Sequence, residues 1–164
     1  MRHLVAASAR AMMASMSERS DISPDPVDPD LICAIAAGRL EAEVVYRDAT
    51  LLAFLDHRPL FPGHVLVSPV EHVASLNELD DRLTGPLLAL GRRVSLAQQS
   101  ALGADGSFVA LNNIVIQSVP HVHLHVVPRK RRDGLRGFFW PRQRYSPGEA
   151  QRVAAALRDA LTTG

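Results

Sequence analysis

The stretch His121-Val122-His123-Leu124-His125-Val126-Val127-Pro128 places a histidine at every second position, with an aliphatic residue after each one. In an extended strand, side chains two residues apart share a face, so the three imidazoles are expected on one side and the aliphatic side chains on the other. Each buried imidazole would need its own polar partner, which argues against three purely structural histidines. The pattern therefore predicts a β-strand with one chemically active face.

Two kinds of chemistry suit such a row of histidines. Imidazole is a common zinc ligand, and catalytic zinc often takes three protein ligands. On an extended strand, however, His121 and His125 would lie about 13 to 14 Å apart, too far to share one tetrahedral ion. A three-ligand metal on this strand alone is therefore disfavoured. The other possibility is nucleophilic catalysis, in which His123 attacks and its neighbours orient it or contact a phosphate.

Capping residues and apolar spacing predict three helices. Asp28-Pro29-Asp30 gives a helix start that Gly38 ends. From Leu79 to Leu96 the apolar residues recur at helical spacing, and Gly85-Pro86 lies either inside that helix or at its true start. Ser146-Pro147-Gly148-Glu149 is a capping box that opens a last helix.

The remaining apolar runs predict strands. They are Val44–Tyr46, Thr50–Leu55, His64–Val67, Phe108–Leu111 and Val119–Val127, and the first two are split by the polar pair Arg47-Asp48 as in a hairpin. Strands in hairpin order with a helix inserted among them predict an α+β fold. We therefore expect a five-stranded antiparallel sheet packed with helices.

Composition limits the class of protein. The chain has 164 residues, 47% of them hydrophobic, a formal net charge of +1 and one cysteine. These values predict one domain, give no overall basic surplus for nucleic acid, and favour a reducing compartment, so we expect a cytoplasmic protein. No apolar run approaches the roughly 20 residues that span a bilayer, so no membrane partner is expected.

The N-terminal segment differs in composition from the rest. Residues 1–27 are predicted to be a disordered tail or a mis-started segment ahead of Met16, although Met1–Met16 also has the composition of a transit peptide. The folded domain is expected to cover residues 28–164.

The alternating run resembles the signature of the histidine triad (HIT) family of nucleotide hydrolases and transferases, and Pro62–Val67 resembles the strand that accompanies it. The resemblance extends from about Asp30 to Pro141. It implies that His123 attacks the α-phosphorus of a nucleotide and forms a transient nucleotidyl-histidine, which water then hydrolyses. His121, His125 and Ser118 are implied to assist the reaction.

The same resemblance implies a nucleotide-binding set. His64 corresponds to a fourth histidine near the centre, and Asp56 to the residue that binds the ribose hydroxyls, although it also suits a turn before Arg58-Pro59. The phosphate region is assigned to Asn112, Asn113 and Gln117, and the nucleobase pocket to Ile32, Ile35 and Phe54, whose plain alternative is core packing. One departure is that Ile116 replaces the family's common glycine before the glutamine.

No metal or other cofactor is expected from the sequence. Some bacterial relatives carry a Cys-x-x-Cys zinc pair, but Asp30 and Ala36 stand three residues either side of Cys33, so the pair is absent. The expected partners are a small-molecule nucleotide with a purine base and a second copy of the chain, in a homodimer whose sheets join edge to edge.

Two other functions stay open at this level. One is a nucleotidyltransferase of the same family, and the other is a non-catalytic nucleotide-binding module. Nucleic acid is not an expected partner, because the aromatics Phe138, Phe139 and Trp140 follow the basic stretch Arg129–Arg132 rather than alternate with it.

Overall fold

A computed structural model of the chain describes residues 29–135 and 144–163. The predicted tail, residues 1–27, and the aromatics Phe138, Phe139 and Trp140 lie outside the described residues. The chain divides into two units, one up to Arg131 and one from Arg132 onward. The elements of the first unit are α1 (Leu31–Ala36), β1 (Val44–Arg47), β2 (Leu51–Leu55), β3 (Val65–Pro69), a 3₁₀ turn (Leu76–Glu78), α2 (Asp81–Leu102), β4 (Gly106–Ala110) and β5 (Leu124–Arg129).

The first unit is built on the five-stranded antiparallel sheet that the sequence predicts. The strand order is β1-β2-β3-β5-β4, and every neighbouring pair is antiparallel. The two strands that flank β5 come from distant parts of the chain, since α2 is inserted between β3 and β4. His125 is thereby paired with Leu66 on one side and Ala110 on the other, at the centre of the sheet.

Alternate residues of the strands pack into two separate hydrophobic cores. Leu51 and Ala53 of β2 pack with Leu87, Leu90 and Val94 of α2. The intervening residues Leu52 and Phe54 pack with Ile32 and Ile35 of α1. Because side chains alternate along a strand, α2 covers one face of the sheet and α1 the other.

Helix α2 is longer than predicted at its carboxyl end. Asp80 caps its start by accepting from the Arg82 amide at 2.8 Å, and Gly103, with φ of 62°, ends it in the left-handed conformation. The helix therefore begins before Pro86 rather than at it. Pro86 is exposed, so water can reach the carbonyl that the missing proline N–H would have paired.

The start of β5 is the main departure from the predicted strands. The sequence predicts Val119–Val127, whereas the strand runs from Leu124 to Arg129. The reason lies in Pro69 at the end of β3, which has no N–H with which to continue the ladder. The Val122 carbonyl accepts instead from the Ser68 hydroxyl at 2.7 Å, and the Val122 amide donates to the Val73 carbonyl at 2.7 Å. His121 and His123 thus precede the strand.

The second unit contains α3 (Glu149–Thr163). Half of the predicted capping box is formed there, because the Ser146 amide and hydroxyl each donate to the Glu149 carboxylate at 2.7 Å. Among the described residues, none of the helices has the length and apolar character that a membrane crossing requires.

Candidate functional site

The three alternating histidines divide between two polar clusters. His121 is fully buried and contacts Asp30, while the His123 and His125 rings pack edge to face with their centroids 4.9 Å apart. The predicted single row of imidazoles is therefore only partly formed. His121 and His123 flank Val122, whose amide donates to the Val73 carbonyl in a loop. Their side chains are therefore not arranged by the pleat of the sheet.

His123 has a defined tautomer. Its Nδ1 atom lies 2.7 Å from the His121 carbonyl oxygen. A carbonyl can only accept, so Nδ1 carries the hydrogen and the Nε2 atom of the neutral ring holds the lone pair. The ring is 4% exposed, so water does not compete freely for that lone pair. A lone pair with a fixed direction is what a nucleophilic imidazole requires.

His64 and His125 form a hydrogen-bonded pair with the opposite tautomer. The Leu60 amide donates to His64 Nδ1 at 3.3 Å, so His64 Nε2 carries the hydrogen and donates to His125 Nδ1 at 3.0 Å. The neutral His125 ring then carries its own hydrogen on Nε2. His123 thus offers a lone pair and His125 a donor, side by side.

Burial keeps this pair neutral. Desolvation, followed by the positive charge that His123 and His64 would carry when protonated, lowers the pKa of His125 to about 4, against the smaller opposing effect of Asp56. Desolvation also lowers the pKa of His64, although Asp56 favours its charged form. Both rings are therefore neutral near pH 7.

Asp56 lies beside the His64 ring of this pair. Its Oδ2 atom is 3.4 Å from His64 Nδ1, and its Oδ1 atom accepts from the Arg58 amide at 2.8 Å. Asp56 was expected either to bind ribose or to form a turn before Arg58-Pro59. Its carboxylate forms that turn and also lies beside the histidine pair. Binding of ribose by Asp56 stays a prediction.

The predicted phosphate region is a loop in which the side-chain amides of Asn113 and Gln117 form hydrogen bonds within the protein. Asn113 accepts from the Leu76 amide at 2.9 Å and donates to the Asn77 side chain at 2.9 Å. Gln117 accepts from the Ile114 amide at 2.8 Å and donates to the Ala74 carbonyl at 2.7 Å. Asn112 and Ser118 are exposed. The phosphate contacts of these four residues stay predictions.

Two isoleucines in that loop have an unusual backbone. Ile114 and Ile116 have φ values of 66° and 59°, in the left-handed region that glycine favours. Isoleucine at the position where the family resemblance implies a glycine thus coincides with a strained backbone at Ile116.

The residues assigned to the nucleobase pocket are buried. Ile32, Ile35 and Phe54 are 0%, 6% and 3% exposed and belong to the core cluster between α1 and the sheet. Their packing role is shown, and their contact with a base stays a prediction. Leu31 and Val119 are only partly buried at the border of the same cluster.

The second polar cluster was not predicted from the sequence. Asp30, Cys33, His72 and His121 bring one ligand atom each to within 4.8 Å of one another. Asp30 also caps α1, because its Oδ1 atom accepts from the Ile32 and Cys33 amides at 2.7 and 2.9 Å. Burial on its own raises the pKa of Asp30, but the hydrogen bonds with His121 and the Cys33 amide outweigh it and hold that pKa well below its ordinary value.

The only trace of this cluster in the sequence is the Asp30-x-x-Cys33 spacing. This spacing is that of a Cys-x-x-Cys pair with one cysteine replaced, and a pair without the second thiolate does not predict a zinc site. His72 carries no sequence signal of its own. It meets Asp30 only because the loop after β3 passes the start of α1, with His72 Nδ1 2.8 Å from Asp30 Oδ2.

Comparison with known proteins agrees with this geometry. The HIT domain family model matches residues 37–132. An adenosine 5'-monophosphoramidase, hnt1 of Schizosaccharomyces pombe, is 36% identical over 133 residues, which are 80% of this chain and 97% of that protein.

Solved structures of HIT proteins have the same fold. One from Bacillus subtilis has a TM-score of 0.71 at 30% identity and covers 79% of this chain and 95% of its own. A zinc-bound histidine triad protein from Mycobacterium smegmatis has a TM-score of 0.63 at 34% identity, covering 79% and 96%. With its sheet, its paired histidines and these relatives, the chain belongs to the histidine triad family.

Proposed function

We propose that this protein hydrolyses nucleotides at the α-phosphorus through a nucleotidyl intermediate on His123. The observation that supports this most directly is the 2.7 Å contact between His123 Nδ1 and the His121 carbonyl, which leaves the Nε2 lone pair free to attack. The neighbouring His125 supplies the complementary group, a neutral ring with its hydrogen on Nε2.

The proposed reaction has two steps. In the first, His123 Nε2 forms a bond to phosphorus while the bond to the leaving group breaks and the departing atom takes a proton from solvent; the neutral His125 keeps its Nε2 hydrogen and donates it as a hydrogen bond to a phosphoryl oxygen. In the second, water attacks phosphorus and loses a proton to solvent, the phosphorus–nitrogen bond breaks, and the nucleoside monophosphate leaves with His123 again neutral and protonated on Nδ1. A preorganised hydrogen-bond donor of this kind contributes typically about 10²- to 10³-fold to a rate.

A nucleoside phosphoramidate is the substrate that we favour. An amine leaves as a neutral molecule only when its nitrogen gains a proton, which solvent supplies in this scheme, while the His125 Nε2–H, oriented by its contact with His64, stabilises the charge on the phosphoryl oxygens. The name of the S. pombe relative points to the same class. A dinucleoside polyphosphate needs less help from an acid, since its leaving group is a stable anion.

We further propose a cytoplasmic homodimer joined along β4. This strand ends the sheet order, with β5 as its one neighbour within the described residues. Val109 on β4 and Leu88 and Leu96 on α2 are 40%, 61% and 53% exposed. An edge strand next to exposed aliphatic side chains suits association with a second copy. Light scattering of Leu88→Glu against the unmodified chain tests this, and a monomeric unmodified chain would disprove it.

The central test is intact-protein mass spectrometry after rapid quenching with adenosine phosphoramidates and diadenosine tetraphosphate. We expect a nucleotidyl adduct and released monophosphate from the unmodified chain and from His57→Ala, a change at an exposed histidine, but neither from His123→Ala. An adduct transferred to phosphate rather than water would indicate the transferase. Nucleotide bound without an adduct or product would indicate the binding module and reject hydrolysis.

A further inference from the structure

We propose that Gln98 is a positioning residue that holds the His64–His125 pair in register. The inference rests on the proposed hydrolysis, in which that pair supplies the N–H donor, but it concerns a residue outside the histidine signature. The side-chain nitrogen of Gln98, on α2, donates to the Gly63 carbonyl at 2.9 Å and to the Val126 carbonyl at 2.9 Å. Gly63 directly precedes His64, and Val126 directly follows His125. One amide group therefore joins the backbone beside both histidines.

This contact lies where the ladder between β3 and β5 ends. The last residue pair of that ladder is Val65 with Val126, so His64 lies one position beyond it. The His64 amide donates to the Phe61 carbonyl at 3.0 Å, and the His64 carbonyl accepts from the Asp56 amide at 2.9 Å. These two bonds fix the backbone of His64 to its own turn and to the end of β2. The glutamine adds the connection from this segment to β5.

Helix α2 lies close enough to both strands for this contact. Gly63 has a φ of 93°, and a Cβ there would overlap the Leu102 side chain. A Cβ at Gly91 would lie 3.7 Å from Val126 Cγ2. Gly91, Gln98 and Leu102 are seven and four residues apart, so they share one face of the helix. That face therefore presents the buried Gln98, which is 4% exposed, to both carbonyls.

The side-chain oxygen of Gln98 indicates that the amide contributes little net stability. Both carbonyls can only accept, so the nitrogen must face them. The oxygen, Oε1, is buried and has no hydrogen-bond partner among the residues that the structure describes. Burying an unsatisfied oxygen costs about as much as such hydrogen bonds contribute. The main effect of the amide is therefore to fix the positions of the two carbonyls.

Gln98 acts through the backbone, because the sheet separates it from the histidine rings. His125 lies directly opposite Leu66, which packs in the core cluster on the α1 side, whereas Gln98 belongs to α2 on the other face. The offset of the two strands sets the 3.0 Å contact between His64 Nε2 and His125 Nδ1. A hydrogen bond weakens steeply as its geometry departs from the optimum, and a misplacement of about 1 Å can lower a rate about 10²-fold.

The first test is steady-state kinetics of the full chain on an adenosine phosphoramidate. Gln98→Met keeps the length of the side chain but has no donor. We expect kcat to fall by about 10- to 100-fold with KM nearly unchanged, because Gln98 does not touch the substrate. The control is Gln99→Met, the same change at an exposed neighbour, which should leave both constants unchanged. If Gln98→Met does not fold, Gln98→Asn, whose amide is one methylene too short, takes its place with the same expectation. An unchanged kcat would overturn the proposal.

A double-mutant cycle distinguishes positioning of the pair from a general loosening of the fold. If Gln98 acts through the contact between His64 and His125, its replacement has nothing left to disturb once that contact is gone. We therefore expect Gln98→Met to lower kcat by no more than about 2-fold in the His64→Phe background. A loss of the same size in both backgrounds would show that Gln98 acts elsewhere and would overturn the proposal.

Nitrogen NMR of the imidazole rings gives a readout that needs no turnover. We expect His125 to be a single neutral tautomer, with its hydrogen on Nε2, in the unmodified chain and in Gln99→Met, and a mixture of both tautomers in Gln98→Met. A single Nε2–H tautomer in Gln98→Met would overturn the inference. An unmodified chain that forms no product would reject the proposed hydrolysis, and the NMR result would still decide the role of Gln98.

Discussion

The Nε2 atom of His64 lies 3.0 Å from the Nδ1 atom of His125, and the two rings are tilted by 36°. This contact joins the start of β3 to β5, because His64 immediately precedes β3 and His125 lies on β5. The Leu60 amide fixes one end of the pair, so the position of every hydrogen in it follows from one backbone donor. The pair is thus set by the fold rather than by the substrate.

Replacing His64 is expected to damage turnover more than binding. In His64→Phe the ring shape is kept, but His125 Nδ1 loses its donor and the Nε2–H tautomer is no longer favoured. We expect kcat on an adenosine phosphoramidate to fall by about 10²-fold or more, with a smaller change in KM. Steady-state kinetics with His57→Phe as control measures this. Equal losses in both variants would show that the His64 contact is not specific.

The low pKa of His125 predicts how stability depends on pH. Its folded value is about 4, below its ordinary value of 6.5, so the unfolded chain binds more protons between these values. The stability associated with a neutral His125 is therefore complete above about pH 6.5 and is lost as pH falls toward 4. We expect the urea midpoint of the unmodified chain to decline across this window, and that of His125→Asn to decline less. Parallel curves would contradict a buried neutral ring.

The sheet was predictable because its signals are local. Period-two patterns and turn residues such as Asp48, whose carboxylate accepts from the Leu51 amide at 2.7 Å, set the strands and the hairpin from β1 to β2 without reference to distant residues. The continuous apolar run of β2, Leu51–Leu55, likewise indicates a strand that is buried on both faces.

The rest depends on contacts between distant parts of the chain. The start of β5 is decided by Pro69, whose place opposite Val122 no local pattern reveals. Cys33 and His121 are 88 residues apart in sequence yet 3.5 Å apart in space, so a search for closely spaced ligands could not join them. Asn113 and Gln117 could be assigned to the phosphate region from the family pattern, but their present partners belong to the loop before α2.

Two glycines of α2 are expected to respond very differently to the same substitution. A Cβ at Gly91 would lie 2.7 Å from Leu124 Cδ2, beside the histidine segment, whereas a Cβ at Gly85 meets nothing within 4 Å apart from its neighbours in the chain. We expect Gly91→Ala to lower the free energy of unfolding by about 1 to 3 kcal/mol through overpacking. Gly85→Ala should change it by less than about 1 kcal/mol, because the better helix propensity of alanine is opposed by the contact of its Cβ with the Pro86 ring. Urea denaturation measures both, and a stabilising Gly91→Ala would refute the close approach of α2 to β5.

The loop before Gln117 contains a residue with a strained backbone, Ile116. Ile116 and Val115 are neighbours with 80% and 73% exposure, but only Ile116 has a positive φ, of 59°. Glycine removes little buried surface at either position, so the two changes differ mainly in the left-handed strain of about 1 to 2 kcal/mol that Ile116→Gly relieves. We expect Ile116→Gly to be more stable than Val115→Gly by about 1 kcal/mol in urea denaturation, after the entropy cost of glycine common to both. Equal stabilities would mean that Ile116 is not held in the left-handed region in solution, and the loop before Gln117 would then have a different backbone from the one described.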